Sequence, residues 1–443
     1  MRVESVHTTC CVVGGGPAGV MLGYLLARAG VAVTILEKHR DFFRDFRGDT
    51  VHPSTLELMF ELGLLGEFLK LPHQKVTSVG VTFGDFTFTA ANFGRVHTHC
   101  RYTAIMPQWD FLNFLSDEGK KYQNFDLRME HEAVDVLYEG ERVRGVLVRT
   151  PTGSEQIGAD LVIGCDGRHS MMRAAGGLQV RDLGVPIDVL WFRISRQKDD
   201  HEQTLGNINF GKMLVLINRN DYFQAGLIIR KNSFEQIRQK GLEAFRKDIA
   251  QTAPFLSGRV EELQNWEQIK LLSVQINRLK RWHRPGLLCI GDAAHAMSPV
   301  FGVGINLAIQ DAVAAANILM RPLRDGRNTD HLLHRVQRRR ELRTRITQRL
   351  QVIAHAGFQY VFRRQGPLHA PWTFRLAARA HLMQPILLRV VGVGVVSEHV
   401  STALAPGRRT GKRIARMTAI GAGLAAAATL AWLGWKRPIR RVR

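Results

Sequence analysis

The sequence predicts an α/β protein in three parts: a body built on a parallel sheet, an antiparallel sheet inserted within it, and a basic helical C-terminal tail. Three observations predict it. The first forty residues run strand, glycine turn, helix, strand; a central block alternates apolar and polar residues with a period of two; and nearly all the net positive charge lies in the last quarter. With 443 residues, 45% of them apolar and 23% charged, the chain can bury a large core, which excludes disorder, collagen and coiled coil as whole-chain readings. The formal charge is +22, but residues 321–443 hold 25 Lys+Arg against 4 Asp+Glu, and residues 1–320 hold 36 against 35. The basicity therefore belongs to the tail, where it suits an anionic partner.

Each element has its own signal. Residues 8–13 are β-branched or Cys throughout, 17–29 space their apolar residues helically, and 31–36 form a second buried-strand run, which makes a βαβ unit. Residues 53–69, with Pro53 near the start, predict a helix; 76–106 reads as short strands broken by Gly, and 109–121 as another helix. A strand at 128–137, a hairpin at Glu139-Gly140 and an apolar strand at 161–164 follow. Alternation within 188–194, 212–217 and 223–229 predicts the antiparallel sheet, with one helix near 234–250. A buried strand at 287–290 and a long apolar helix at 303–320 return the chain to the first domain. The expected division is 1–75, 107–185 and 277–325 as a discontinuous first domain, and 76–106 with 186–276 as the inserted β-rich domain. Residues 326–400 are expected as a helical C-terminal region and 401–443 as a basic tail.

The glycine turn is Gly14-Gly15-Gly16-Pro17-Ala18-Gly19, which fits GxGxxG between a strand and a helix. Gly14 permits the tight turn, Gly16 lets backbone approach a pyrophosphate, and Gly19 allows helix and strand to pack closely. The helix N-terminus offers free N–H groups and partial positive charge to phosphates. Glu37, at the end of the second strand, is placed to accept hydrogen bonds from ribose hydroxyls. This is a Rossmann-type dinucleotide site, open at this point to FAD or NAD. Two further segments follow apolar strands: Gly164-Cys165-Asp166-Gly167-Arg168-His169-Ser170, and Gly291-Asp292-Ala293-Ala294-His295 running through Pro299 to Gly302-Val303-Gly304-Ile305-Asn306.

With these three motifs in order, residues 8–325 resemble the flavoprotein aromatic hydroxylases typified by para-hydroxybenzoate hydroxylase. The resemblance implies a Rossmann-type FAD-binding domain with an inserted substrate domain, and a monooxygenase that uses NAD(P)H and O2 on an aromatic or apolar small molecule through a flavin C4a-hydroperoxide. It implies that Gly14, Gly16, Ala18 and Gly19 hold the ADP half of FAD and Glu37 its ribose. Arg47 and Gln108 match positions that contact FAD, Asp166 the segment associated with both cofactors, Asp292 the ribityl contact, and Pro299 a proline beside the flavin. Gly302, Gly304, Ile305 and Asn306 open the helix whose N-terminus would stabilise negative charge on a reduced flavin. An Asp that merely caps a helix is the plainer reading of Asp292. No second fingerprint occurs, so NAD(P)H is expected as a transient co-substrate near Asp166. Two alternatives share the fold: an FAD-dependent reductase of isoprenoid double bonds, and a non-catalytic flavin-fold protein.

No general base or nucleophile stands out, and the chemistry needs none. His295 reads first as a structural histidine bonded to backbone and second as a catalytic group; Pro299 is the other weak catalytic candidate, through its carbonyl. His52 and His169 flank the cofactor segments. Trp191, Arg193, Phe210, Tyr222 and Gln224 are drawn from the central sheet as substrate contacts, although alternation points about half of any such set the wrong way. The five cysteines are odd in number, show no metal-ligand spacing, and read as small apolar packers of a cytoplasmic protein; the N-terminus reads as lacking a signal peptide. Residues 417–435 carry no charge and are flanked by Lys412, Arg413 and Arg416 before and Lys436, Arg437, Arg440, Arg441 and Arg443 after. A spanning anchor, an interfacial helix and a packed tail all remain open for this segment. The arginines of 338–349 add to the case for an anionic membrane surface, against the plainer reading of a solvated helix face. Nucleic acid lacks any supporting motif.

Overall fold

The computed structural model describes residues 5–43, 50–200, 204–219, 221–381 and 384–404. Arg47 and the uncharged 417–435 segment lie outside the described residues.

The βαβ unit forms as its pattern requires. Strands Ser5–Val13 and Val33–Glu37 pair in parallel, joined by helix Pro17–Arg28, which buries Ala18 through Ala27 and has Pro17 where a missing N–H costs nothing. Three more parallel strands complete the centre of an eight-stranded sheet, in the order Leu287–Cys289, Gly153–Gly164, Ser5–Val13, Val33–Glu37, Phe125–Met129. Cys10, Cys11, Val12, Leu161, Val162 and Ile163 are fully buried, as expected of parallel strands covered on both faces. Burial of this order contributes about 1.5–3 kcal/mol per large aliphatic side chain. It also pushes the Cys11 thiol up to about 12, which keeps it protonated and inert.

Several boundaries differ from the sequence expectation, each for a local reason. The expected 128–137 strand is two: Phe125–Met129 joins the parallel sheet, and Glu132–Glu139 runs back after Glu130, whose φ is +58°. The latter pairs with Arg142–Thr150 in an antiparallel ribbon, which in turn pairs with the first half of Gly153–Gly164 and lengthens that strand. The 53–69 helix breaks at Gly63 (φ +76°) into Pro53–Glu61 and Leu65–Phe68; the 234–250 helix breaks at Gly241 (φ +87°) into Phe234–Gln239 and Leu242–Thr252.

The second sheet has seven strands in the order Lys270–Leu272, Ile187–Ser195, Tyr222–Arg230, Lys212–Asn218, Thr204–Asn209, Ser78–Phe83, Phe86–Asn92. It is antiparallel except where Thr204–Asn209 meets Ser78–Phe83, a strand arriving from an earlier part of the chain. One face, with Leu190, Phe192, Ile194 and Leu214, packs on Phe245 and Ile249. The other, with Val189, Trp191, Met213, Val215 and Ile228, meets Val300, Phe358 and Val361.

Helix Gly304–Arg324 is long and apolar enough to cross a membrane, but 78% of its most apolar stretch is buried, so it is a core helix. Helix Asp330–Phe362 takes Arg340 out of the basic surface expected of the 338–349 arginines, while Arg338, Arg339, Arg345 and Arg349 are exposed. Arg340, Thr344, Thr347, Gln348, Gln351 and His355 recur at helical spacing and are buried. Arg340 Nε donates to Asp311 Oδ1 (2.7 Å) and its Nη1 to Glu398 Oε1 (3.3 Å), while Arg339 reaches Glu398 Oε2 at 2.6 Å. Burial opposes charge on Asp311, but His295 and Arg340 outweigh it and hold the carboxyl below its ordinary value. Substituting Arg340→Met should therefore take one partner from each of two buried carboxylates and cost about 3–5 kcal/mol in urea unfolding, and a loss under about 1 kcal/mol would contradict this assignment.

Candidate active site

Because the strands are parallel, their carboxyl ends lie together: Val13 is opposite Gly164 and Leu36, and Gly164 opposite Cys289. Backbone bonds then tie the exits to one another, Gly14 N–H to Leu36 O (2.8 Å), Cys165 N–H to Val13 O (2.7 Å) and Ile290 N–H to Gly164 O (3.0 Å). At Gly14, φ is +106° and a Cβ would lie 2.5 Å from the Cys165 carbonyl; at Gly19 a Cβ would lie 1.9 Å from the Gly14 carbonyl. At Gly16 nothing stands within 4 Å, so this backbone faces open space at the start of helix Pro17–Arg28. The Ala18 methyl would lie 3.3 Å from a Cβ on Gly291, which brings the first and last motifs into contact. Glu37 is buried; its Oε2 accepts from Gly15 N–H (3.1 Å) and its Oε1 from His39 N–H (3.0 Å), with His39 Nδ1 at 2.5 Å.

Asp166 Oδ2 accepts from Met172 N–H (3.0 Å), while its buried Oδ1 has no partner. Burial raises its pKa against the hydrogen bonds that lower it. Asp292 stands inside the turn that Ile290 caps rather than at its cap position; it is half-buried and lies 3.6 Å from Arg168 Nη2, joining the second motif to the third. At the end of the third motif, Pro299 O accepts from Gly302 N–H (2.9 Å) across a turn in which Phe301, a non-glycine residue, holds φ +73°. Gly304 again has nothing within 4 Å of its Cβ position, and Ile305 packs on the main core. Asn306 is committed to protein: its Oδ1 accepts from Thr55 Oγ1 (2.6 Å) and His52 N–H (3.1 Å). Gln108 opens helix Gln108–Lys120, and the next residue, Trp109, stacks on Phe43 just beyond Glu37. Bare backbone at Gly16 and Gly304, two helix N-termini and an unpartnered buried acceptor at Asp166 fit a bound dinucleotide.

Residues 7–350 match the family model described as the FAD binding domain. The chain belongs to that family, whose relatives here are FAD-dependent monooxygenases. It is 30% identical over 354 residues to the 6-methylpretetramide 4-monooxygenase of Streptomyces rimosus, covering 79% of this chain and 84% of that protein. Two solved structures show the same fold. The anhydrotetracycline hydroxylase of Streptomyces rimosus superposes with a TM-score of 0.70 at 20% identity, covering 89% of this chain and 77% of that one. The p-nitrophenol 4-monooxygenase of Pseudomonas putida gives 0.68 at 20%, covering 88% and 99%. This chain is thus an FAD-dependent monooxygenase of the aromatic-hydroxylase type, and FAD is its cofactor.

Within this flavoprotein monooxygenase, His295 bonds a carboxylate rather than the backbone: its Nε2 lies 2.5 Å from Asp311 Oδ2, and its ring packs on Trp282. Asp311 Oδ2 also accepts from Gly291 N–H (3.1 Å), so the pair holds the start of the third motif from beneath. His52, which hydrogen-bonds Gly302 O (2.9 Å), is driven down to about 4 by burial and stays neutral; His169 is exposed. Of the sheet residues, Trp191, Arg193, Tyr222 and Gln224 share the face that meets Val300, because Trp191 pairs with Gly226, Arg193 with Gln224 and Ser195 with Tyr222. Arg193 lies over the Tyr222 ring (5.1 Å), Gln224 Oε1 accepts from Arg219, and Phe210 sits in a tight turn at φ +48°. Sequence reasoning missed Asp311, Arg340, Glu398, Gln351 and His355. For Arg340, Gln351 and His355 the signal was polar residues at core helical spacing from 340 to 355, hidden when the segment was counted only as charge; for Asp311 it was a lone acid within the apolar stretch of helix Gly304–Arg324.

The glycines separate folding from binding. Gly16→Ala, with no atom near the new methyl, should keep the wild-type melting temperature within a few degrees and weaken FAD binding by about tenfold or more. Gly14→Ala, strained and in collision with Cys165, should fail to fold stably. Thermal unfolding and flavin-fluorescence titration distinguish them, and undiminished FAD affinity in the Gly16 variant would contradict the site.

Proposed function

We propose that this flavoprotein monooxygenase uses NAD(P)H and O2 to hydroxylate or epoxidise an aromatic or apolar small molecule, held between the seven-stranded sheet and the Pro299–Gly304 turn. The observation that carries the reading is the partly buried Trp191, on the sheet face whose apolar residues Val189, Met213, Val215 and Ile228 pack beside Val300 and Phe358. An apolar wall beside the last motif suits a flat, weakly polar ring and excludes water. FAD, when bound, supplies the electron transfer and oxygen activation. The chain's own residues bind and orient. Gly14, Gly16, Ala18, Gly19 and Glu37 take the adenosine diphosphate half of the cofactor, Asp166 and Asp292 the remainder of its polar chain, and the backbone at Gly304 its ring. Trp191 Nε1, buried without a partner, is a donor available to a substrate oxygen. NAD(P)H approaches transiently near Asp166 and Arg168.

Substrate-H, O2, NAD(P)H and a proton then give substrate-OH, water and NAD(P)+. Turnover under labelled oxygen with aromatic compounds that accelerate NAD(P)H oxidation should place one labelled atom in the product. Equal turnover without oxygen would replace this reading with that of a reductase.

The tail supports a location. Its excess of basic residues and the uncharged 417–435 stretch suit an anionic bilayer, where apolar substrates concentrate. The full chain should co-sediment with phosphatidylglycerol vesicles at low salt, and a chain ending at residue 404 should bind far less; equal binding by both would remove the tail's role.

A further inference from the structure

We propose that Gln351 is a positioning residue for the flavin, acting through the Ser298–Val300 backbone; the inference rests on the assignment of the third motif to FAD. Residues 294–299 belong to no strand, yet Ala294 through Ser298 are buried, so their backbone groups need partners from elsewhere. Strand Asn277–Leu279 supplies some of them, Leu279 N–H donating to Ala294 O (2.7 Å) and Asn277 N–H to Ala296 O (3.3 Å), and helix Asp330–Phe362 supplies others through side chains one turn apart. Gln351 Oε1 accepts from Ser298 N–H (3.2 Å), and its Nε2 donates to both Ser298 O (2.9 Å) and Val300 O (2.9 Å). Gln348 Nε2 donates in the same way to Asn277 O (2.8 Å) and Ala296 O (3.2 Å). His355 Nε2 lies 3.0 Å from Ser298 Oγ, which also accepts from Val300 N–H (3.3 Å). Burial holds this histidine neutral, at about 4, so the ring and the serine hydroxyl share a hydrogen bond between uncharged groups.

For Ser298 and Val300 this ladder continues what strand Asn277–Leu279 does for Ala294 and Ala296. The turn it anchors is the one that contains Phe301 in the left-handed region, a conformation that persists only where surrounding contacts fix it. Both carbonyls flanking Pro299 are held by one amide, so the places of Pro299, Gly302 and Gly304 are set by a side chain from the far helix. The family match ends at residue 350, so Gln351 and His355 lie just beyond the part of the chain it spans.

The test compares two matched clamps on one helix. Gln337 makes the same kind of contact at its other end, accepting from Trp282 N–H (3.0 Å) and donating to Lys280 O (3.1 Å). In the full-length holoenzyme, Gln351→Met and Gln337→Met are measured for melting temperature, FAD dissociation constant, visible flavin spectrum and reduction potential. Both variants should lower the melting temperature. Only Q351M should weaken FAD by about tenfold or more and shift the spectrum and potential, because three buried backbone groups lose their partner. If Q351M does not fold, Gln351→Ala, which leaves room for water to reach those groups, is measured in the same way. FAD affinity within twofold of wild type, with unchanged spectrum and potential, overturns the clamp alone. A wild-type chain that takes up no FAD overturns the cofactor assignment and the proposal with it.

Discussion

The parallel register of four strands is the constraint from which the site follows. Pairing Val13 with Gly164 and Leu36, and Gly164 with Cys289, sends the glycine turn, Glu37 and the two aspartate motifs out of one sheet edge, although up to about 280 residues separate them in the chain. Crowding at that edge explains the glycines better than flexibility does. Gly14 and Gly19 are glycine because other backbone already occupies the Cβ position, whereas Gly16 and Gly304 are glycine with empty space in front of them. The first pair serves the fold and the second leaves room for a ligand.

Behind this edge lies an ionic cluster with no access to water. His295, Asp311, Arg340 and Glu398 come from four separate segments and are all buried. A lone charge in such a place would cost several kcal/mol, so each member depends on the others. The cluster therefore makes the C-terminal helix and the segment around Glu398 part of the body, and ties both to the amide of Gly291. Part of the basic last quarter serves this internal role, and the surface is left with the remainder.

Features carried by contiguous residues were legible in the sequence. The βαβ unit, both aspartate motifs, the long helix after Gly304 and the three central strands of the second sheet near 188–194, 212–217 and 223–229 are each specified within a dozen or so positions, where periodicity and glycine spacing speak directly. What stayed hidden depends on contacts between distant residues. The Asp311–Arg340 pair joins two helices, and Gln351 serves a loop more than fifty residues away. Counting arginines over 338–349 found the exposed Arg338, Arg339, Arg345 and Arg349 but not the buried Arg340, because a count ignores helical phase, while the buried positions 340, 344, 347, 348 and 351 follow that phase closely. Asn306 shows the complementary case: it stands in a motif suited to the cofactor, but its side chain is spent on Thr55 and His52.

The central claim is that three motifs at one sheet edge form a single FAD site braced from behind by the C-terminal helix. Hydrogen–deuterium exchange of the apoprotein with and without FAD tests it most directly. The account predicts protection on FAD binding in residues 14–19, 165–173 and 291–306 together, extending to the 345–356 stretch of the long helix. Protection confined to the first motif, or found mainly outside these segments, would contradict it.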